Sequence, residues 1–234
     1  MADVADFIKV LLASFVTLFP VVNPVGCAPI FLALTDQYPA AAQRLLSKKV
    51  GAYGFFLLAG SCLFGTPVLG FFGISLFIVQ IAGGLVVAAA GWGLLNQKEE
   101  DTSAKNVAIT VDDALSHAFY PLTLPITVGP GCISIAITIG AHLRRQDGSG
   151  WLHGVPRHFV AALSGMFLLC LLVVFCYSHA GRLVMALGKS GTTILMRLSA
   201  FILLAIGVQI FWNGLASGIP EILRAVSAVS GAVK

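Results

Sequence analysis

The chain has 234 residues, of which 58% are hydrophobic and only 10% are charged, and its mean hydropathy is +0.94. This composition excludes a soluble globular domain and predicts an integral membrane protein in contact with a lipid bilayer. The net charge of +4 comes from basic residues spread over most of the hydrophilic segments, a pattern that excludes a nucleic-acid-binding surface.

The uncharged runs of the sequence predict six transmembrane helices, because a helix needs about 20 consecutive apolar residues to cross the bilayer. Runs that fit one crossing each are 10–35, 114–143, 158–181 and 198–220. The run 50–97 is too long for one crossing, and Pro67 with the glycines around it predicts a turn near its centre. The first run lacks the basic segment and cleavage site of a secretory signal, so we expect it to be retained.

Proline and glycine interrupt the first run in the stretch LFPVVNPVGCAPIF. Asn23 is a favoured N-cap, and Pro24 suits the first position of a new helix. Pro20 disfavours helical angles at Phe19, so we expect an extended backbone between the two prolines. Because Pro24 lies near the middle of the run, the break is predicted near the bilayer midplane, where it must face protein or a watery cavity.

The same break recurs in the fourth span, after a predicted polar linker. Gly129 and Pro130 repeat the cap and first helical position, and Pro125 pushes Leu124 away from helical angles. We therefore expect an extended backbone between Pro125 and Pro130 as well. The segment PITVGPGCISI (125–135) aligns with PVVNPVGCAPI (20–30) at an offset of 105 residues, with identities at Pro20 and Pro125, Gly26 and Gly131, Cys27 and Cys132, and Ile30 and Ile135.

Each copy of the motif opens a unit of three spans, so the second copy must enter the membrane from the opposite side. Inverted repeats of this kind are typical of secondary transporters. The predicted fold is an all-α membrane protein with six transmembrane helices, arranged as two inverted three-helix repeats with broken first and fourth helices. The chain forms a single transmembrane domain, 1–234, composed of repeat one (7–97), a linker (98–116), repeat two (117–217) and a C-terminal tail (218–234).

The two breaks predict a shared binding site at the membrane centre. Each restarting helix directs unpaired backbone amides there, and a helix N-terminus binds anionic groups such as a carboxylate. The glycines let a ligand approach the backbone, so leucine at Gly26 or Gly131 should abolish binding and spare folding. Equal loss of folding would favour a packing role. The predicted substrate-binding residues are Asn23, Pro24, Val25, Gly26, Cys27, Thr127, Gly129, Pro130, Gly131 and Cys132.

Two further polar residues mark a predicted path to this site. Arg197 falls inside a span, where it either faces the bundle and pairs with a substrate carboxylate or snorkels to the interface. Gln209 either lines the path or bonds to a neighbouring helix. The small residues of the third and sixth spans, Gly84 and Gly207 among them, predict close helix packing.

The sequence predicts no enzyme, metal site or cofactor. Its five cysteines have the spacing of neither a metal cluster nor a disulfide framework, so we interpret them as packing residues. The spans carry no paired aspartates, no serine with a deep histidine and no HExxH motif, and the chain has no phosphate-binding loop.

Three alternatives to the binding-site interpretation stay open. Proline and glycine also kink helices for packing alone. A broken segment can instead form a re-entrant hairpin, which would leave two crossings per copy and remove the inversion. The whole bundle can also serve as a non-transporting scaffold for a partner protein.

The segments LFPVVNPVGCAPIFLALT and PLTLPITVGPGCISIAITIGA resemble the NPxG and GPG signatures of the MarC family of bacterial inner-membrane proteins. The likeness extends over essentially the whole chain. Because that family is grouped with small neutral amino-acid transporters, the resemblance implies a multi-pass inner-membrane protein that transports small neutral or zwitterionic solutes, such as glycine or alanine. It also implies that the substrate site is formed by Asn23, Pro24, Gly26, Gly129, Pro130 and Gly131. Cys27 and Cys132 stand where we expect polar or small residues in the family.

Overall fold

A computed structural model of the protein describes residues 2–96, 117–147 and 157–232. The predicted linker, 98–116, lies outside these ranges. The described residues are helical, in the elements α1 (Ala2–Val22), α2 (Pro24–Thr35), α3 (Ala40–Phe71), α4 (Leu76–Asn96), α5 (Ala118–Thr127), α6 (Pro130–Asp147), α7 (Arg157–Ser178) and α8 (Ala180–Ala232). Of these, α5 has π-helical hydrogen bonds but is interrupted by extended backbone angles at Tyr120 and Leu124, and α8 is broken at Gly188, whose φ is 64°.

Five helical stretches within the described ranges are long and apolar enough to cross a membrane: Val4–Val22, Ala40–Phe71, Leu76–Asn96, Arg157–Ser178 and Ser190–Pro220. A sixth crossing results if α5 and α6, which are bent by 69° at their junction, count as one broken span. The α2 helix has 12 residues, and at about 18 Å it is too short to cross a hydrocarbon layer of about 30 Å alone. The protein is therefore a multi-pass, all-helical membrane protein with five to six candidate spans.

The N-terminal turns of α1 are polar, and the uncharged part of the helix begins after them. Lys9 and Asp6 form an exposed ion pair, with 3.1 Å between Nζ and Oδ1. Exposed charges belong at the membrane surface and not in hydrocarbon. The apolar part of α1 is thus residues 10–22, and the break after Val22 falls near the middle of the first apolar run.

The core is centred on α7, which packs on both α1 and α3, and the outer surface is apolar. Side chains that are fully buried include Leu18, Leu46, Leu58, Met166 and Leu169. Large apolar side chains cover the outside, among them Phe56, Phe71, Trp92, Phe175 and Trp212. Because lipid tails are as apolar as these side chains, the exposed surface suits a bilayer.

The α4 and α8 helices pack closely and run antiparallel. Gly84 faces the carbonyl of Gly207, and Gly91 faces the carbonyl of Ala200, so residue numbers rise along one helix and fall along the other. A Cβ atom on any of these three glycines would collide with the backbone of the opposite helix. The predicted packing role of these small residues is confirmed.

The α3 and α7 helices are also antiparallel. The hydroxyls of Ser47 and Ser178 are 2.7 Å apart near one end of the pair, and one turn further along α3, Gly51 lies against Val174. Further packing joins the two halves of the chain: α1 and α2 pack on α7, α5 and α6 pack on α3, α2 packs on α8, and α6 packs on α4.

The long apolar run 50–97 turns at Phe72–Ser75, where Gly73 adopts a φ of 66°. The predicted turn is thus confirmed, but α3 continues through Pro67 and ends at Phe71. Pro67 has no N–H to donate to the carbonyl of Leu63, one turn earlier. The guanidinium of Arg144 in α6 donates to that carbonyl instead, and it also lies 5.8 Å from the ring centre of Phe159.

Candidate functional site

The first break is a single residue, Asn23, between α1 and α2. Its backbone is left-handed, with φ 47° and ψ 58°, and its side-chain oxygen accepts a hydrogen bond of 3.1 Å from the amide of Gly26. Pro24 occupies the first position of α2. The predicted cap and helix start are therefore confirmed.

The predicted extended backbone between Pro20 and Pro24 is wrong. The α1 helix continues through Pro20 to Val22, and the amide of Asn23 donates to the carbonyl of Phe19 at 2.8 Å. The fixed φ of proline is compatible with a helix, so the preference at the preceding residue yields to the continuing helix. The whole change of direction is concentrated in Asn23, a residue type that tolerates left-handed angles.

The amides at the start of α2 are also less free than predicted. The amide of Gly26 is held by the Asn23 side chain, and the amide of Cys27 donates to the Asn23 carbonyl at 2.9 Å. An N-cap residue satisfies some of the donors that a helix start otherwise leaves unpaired. The chain itself therefore occupies much of the predicted anion-binding capacity of this helix tip.

The second break is longer and contains a π-helix that the sequence did not predict. In α5, the hydroxyls of Thr123 and Thr127 donate at 2.7 Å to the carbonyls five residues earlier, those of Ala118 and Leu122. Leu124 has extended angles, φ −115° and ψ 121°, as predicted from the proline that follows it. The extended backbone predicted after Pro125 is wrong as far as Thr127, where α5 ends. Such π-helical turns often occur at functional sites.

The α6 helix begins at Pro130 as predicted, and the amide of Ile133 donates to the Gly129 carbonyl at 3.2 Å. The residue in register with Asn23 at the offset of 105 is Val128, which has no side-chain acceptor. Its backbone lies at φ −122° and ψ 86°. The two breaks thus share their position in the sequence but differ in backbone conformation and in capping.

The two predicted site glycines are buried against neighbouring helices. A Cβ atom on Gly26 would lie 2.7 Å from the hydroxyl of Ser199 in α8 and would collide with the Asn23 side chain. A Cβ atom on Gly131 would collide with the side chain of Val87 in α4. Each glycine therefore lets a short helix lie against the last helix of the other half of the chain.

The two breaks meet inside the bundle. The thiol of Cys27, in the first turn of α2, lies 3.8 Å from the carbonyl of Ile126 near the end of α5. The thiol of Cys132 lies 4.0 Å from the Thr127 carbonyl. Of the predicted substrate-binding residues, the buried ones are Pro24, Gly26, Cys27, Thr127, Gly131 and Cys132, the half-buried ones are Asn23, Val25 and Gly129, and Pro130 is exposed.

Tyr177, near the end of α7, is a residue of this region that sequence reasoning missed. Its ring stacks on Phe31 of α2, with ring centres 4.4 Å apart, and its hydroxyl is 2.9 Å from the Thr127 hydroxyl. Tyr177 ends an apolar span far from either proline motif, so its local sequence carries no signal of this position.

The structure does not bring Arg197 or Gln209 to the breaks. Both side chains are exposed on α8, and Gln209 donates to the side chain of Asn213, one turn along the same helix, at 2.9 Å. Arg197 thus lies on the outer surface, as in the snorkelling alternative. Ser199, on the inner side of the same helix, is the polar residue of α8 that reaches the first break.

All five cysteines lie in the described ranges, where they are buried free thiols. Within those ranges, no cluster of three or more histidine, cysteine, aspartate or glutamate residues has a geometry suited to a metal ion.

A family model for MarC family integral membrane proteins matches residues 8–219. A "UPF0056 membrane protein" of Archaeoglobus fulgidus is 32% identical over 214 residues, covering 92% of this chain and 96% of the relative. The "UPF0056 inner membrane protein MarC" of Escherichia coli is 30% identical over 216 residues, covering 90% of this chain and 96% of the relative.

The "UPF0056 membrane protein YvbG" of Bacillus subtilis is 28% identical over 208 residues, covering 88% of this chain and 94% of the relative. No solved structure matches the chain. The family model covers both breaks and nearly every described helix, as the resemblance of the proline motifs predicted. The chain belongs to the MarC family of integral membrane proteins.

Proposed function

We propose that the protein is a secondary transporter of small neutral or zwitterionic solutes, most simply small amino acids, in a bacterial inner membrane. The solute binds between the two breaks. The observation that carries this proposal is their contact: the first turn of α2 reaches the end of α5, with 3.8 Å between the Cys27 thiol and the Ile126 carbonyl. Non-helical backbone inside a membrane protein is tolerated where it is buried in protein or lines a cavity, and transporters use it to bind solutes.

The proposal includes two inverted three-helix repeats, related by a two-fold axis in the membrane plane. Such an axis exchanges α3 with α7 and α4 with α8, and both of these pairs are antiparallel. It also exchanges the contact of α2 with α8 for the contact of α6 with α4, and both contacts occur. In secondary transporters with repeats related in this way, one repeat moves as a rigid body against the other and exposes the binding site to each side of the membrane in turn.

Individual contacts support the same exchange. An offset of 105 residues takes Gly26 to Gly131, and an offset of 116 takes Gly83 to Ser199. The Cβ position of Gly26 lies near the Ser199 hydroxyl, and that of Gly131 lies 3.6 Å from the Gly83 carbonyl. The two glycines therefore lie near positions that the second offset relates to each other, which supports an exchange of the two halves.

The chemistry of the breaks favours a solute without net charge. The residues at both breaks, 23–27 and 127–132, are uncharged. The start of α6 lacks the side-chain cap that Asn23 provides for α2, so its positive end suits a carboxylate. The side-chain amide of Asn23 and the hydroxyl of Ser199 supply polar groups at the opposite end of the site. We assign the protein no catalytic activity and no cofactor.

A non-transporting scaffold is the second candidate function. Gly26 and Gly131 are packed against Asn23, Ser199 and Val87, which is the arrangement expected if glycine serves only close helix packing. A re-entrant α2 would also suit this alternative, because each half would then cross the membrane twice and the two halves would no longer be inverted.

Tracer exchange tests the proposal. Purified protein in liposomes loaded with unlabelled glycine, alanine or serine should take up the same labelled amino acid faster than protein-free liposomes. A Gly93→Ala variant should behave like the wild type, because a Cβ atom at Gly93 meets nothing within 4 Å. If folded protein exchanges no member of a broad amino-acid panel, the transporter proposal is wrong and the scaffold is favoured.

A further inference from the structure

We propose that Tyr177 is a positioning residue that closes the space between the two breaks, and that separation of its hydroxyl from Thr127 opens that space. The functional importance of this role rests on the proposed transport function, since transport requires the site to open. Its evidence is independent of transport: one buried side chain connects three elements, α7, α2 and α5.

Two contacts hold Tyr177 in place from opposite sides. Its ring stacks on Phe31 at an interplanar angle of 20°. Its hydroxyl is 2.9 Å from the hydroxyl of Thr127, the last residue of α5. Tyr177 is only 2% exposed. Because Phe31 belongs to the first broken segment and Thr127 to the second, Tyr177 fixes the position of one break relative to the other.

The direction of the hydroxyl bond follows from counting hydrogens. The Thr127 hydroxyl has one hydrogen, which it donates to the Leu122 carbonyl at 2.7 Å. Tyr177 must therefore donate to Thr127. If the two side chains separate, Thr127 keeps its own bond, and only the Tyr177 hydrogen needs a new acceptor.

A solute carboxylate is a suitable new acceptor. Hydrogen bonds to a charged acceptor are about twice as strong as those between neutral groups. A carboxylate at the start of α6 would lie close to Thr127 along the chain, since α6 begins three residues later at Pro130. The solute would thus compete with Thr127 for the Tyr177 hydrogen and favour the open arrangement.

The experiment measures water access at native cysteines in liposomes. The thiolate is the reactive form of cysteine, so a thiol in a dry, closed site reacts slowly with N-ethylmaleimide. Tyr177→Phe keeps the stacked ring and removes the hydroxyl. Mass spectrometry should show about fivefold faster labelling of Cys27 and Cys132 in this variant, the effect of losing one hydrogen bond. Cys62, which is buried in α3, is the internal reference and should not change.

Two variants of Thr127 test the same bond from its other partner. Thr127→Val removes the acceptor and should reproduce the faster labelling, whereas Thr127→Ser keeps the hydroxyl and should label like the wild type. Unchanged labelling of Cys27 and Cys132 in both disruptive variants would overturn the inference. An equal rise at Cys62 would overturn it too, because it would mean that the whole fold has loosened.

Tracer exchange on the same liposomes separates this inference from the proposed function. Selective labelling without exchange of any amino acid would support the positioning role of Tyr177 and contradict the transporter proposal. Amino-acid exchange with unchanged cysteine labelling would support the transporter proposal and contradict the positioning role of Tyr177.

Discussion

At the scale of single residues, Asn23 does two things that few side chains combine. Its left-handed backbone, with a φ of 47°, turns the chain within one residue, and its side chain caps the helix that follows. Glycine adopts such angles but has no side chain to cap the helix. Alanine also lacks a capping group, and it adopts left-handed angles only with strain. The cap and the turn can therefore be separated by substitution.

We expect Asn23→Ala to lower the free energy of unfolding by about 2 kcal/mol, because it loses the cap and strains the turn. Asn23→Gly should cost only a few tenths of a kcal/mol, about what replacement of a cap by glycine costs elsewhere. Thermal denaturation in detergent compares the variants, with Asn23→Asp as the control that keeps an oxygen acceptor. Equal losses for alanine and glycine would contradict the left-handed turn.

Gly131 supports a second prediction at this scale. Gly131→Ala places a methyl group onto Val87, so overpacking should cost about 1 to 3 kcal/mol. Val87→Ala in the same chain should recover much of that loss. Gly60→Ala is the matched control, since its Cβ meets nothing within 4 Å. No recovery in the double variant would show that Gly131 does not pack on Val87. Because even a Cβ atom here collides with Val87, we expect leucine at this position to impair folding as well as binding.

At the scale of elements, a helix can pass through a proline when another helix supplies the missing donor. Pro67 leaves the Leu63 carbonyl without its usual partner, and Arg144 of α6 donates to that carbonyl. A long side chain near the end of one helix thus supports the last turns of another. The sequence indicates the proline but not the arginine, which lies far along the chain.

A double-mutant cycle tests this support. We expect Arg144→Met to destabilise the wild type by about 2 kcal/mol, the typical value for a hydrogen bond to a charged group. In a Pro67→Ala background, the new amide at residue 67 satisfies the Leu63 carbonyl, so the same substitution should cost about 1 kcal/mol less. Unfolding in denaturant measures both steps. Equal costs in both backgrounds would mean that Arg144 acts independently of Pro67.

The broken elements show how far local rules extend. The prolines and glycines predicted where α2 and α6 begin, and both starts are at the predicted residues, Pro24 and Pro130. The conformation before each start was not predictable. The chain before Pro24 stays helical, whereas the chain before Pro130 forms a π-helix. That choice depends on contacts with distant helices, such as the one between Thr127 and Tyr177.

At the scale of the whole molecule, hydropathy was sufficient for the class and for most of the spans. Charge-free runs locate the apolar helices because lipid admits few charges. The residues that contact the two breaks could not be predicted from hydropathy. Ser199 and Tyr177 reach them from helices whose own sequences read as ordinary apolar spans, so only their packing in three dimensions reveals them.

The proposed inverted arrangement predicts which loops share a side of the membrane. If α1 and α2 together cross once, the end of α2 and the end of α6 lie on opposite faces. Single cysteines introduced at Gln37 and at Arg145, both exposed, should then react with a membrane-impermeant thiol reagent from opposite sides of sealed vesicles. Reaction of both from the same side would favour a re-entrant segment and contradict the inversion.

The side-chain cap at Asn23 has no counterpart at Val128, and if the protein transports solutes as proposed, this difference affects its resting state. A device made of two identical halves would open with the same ease toward the cell interior and toward the outside. If the cycle breaks the cap in only one of those conformations, the difference of about 1 kcal/mol gives the other a roughly fivefold larger population. In the proposed transporter, a chemical difference at this one residue would thus be enough to favour one of the two conformations.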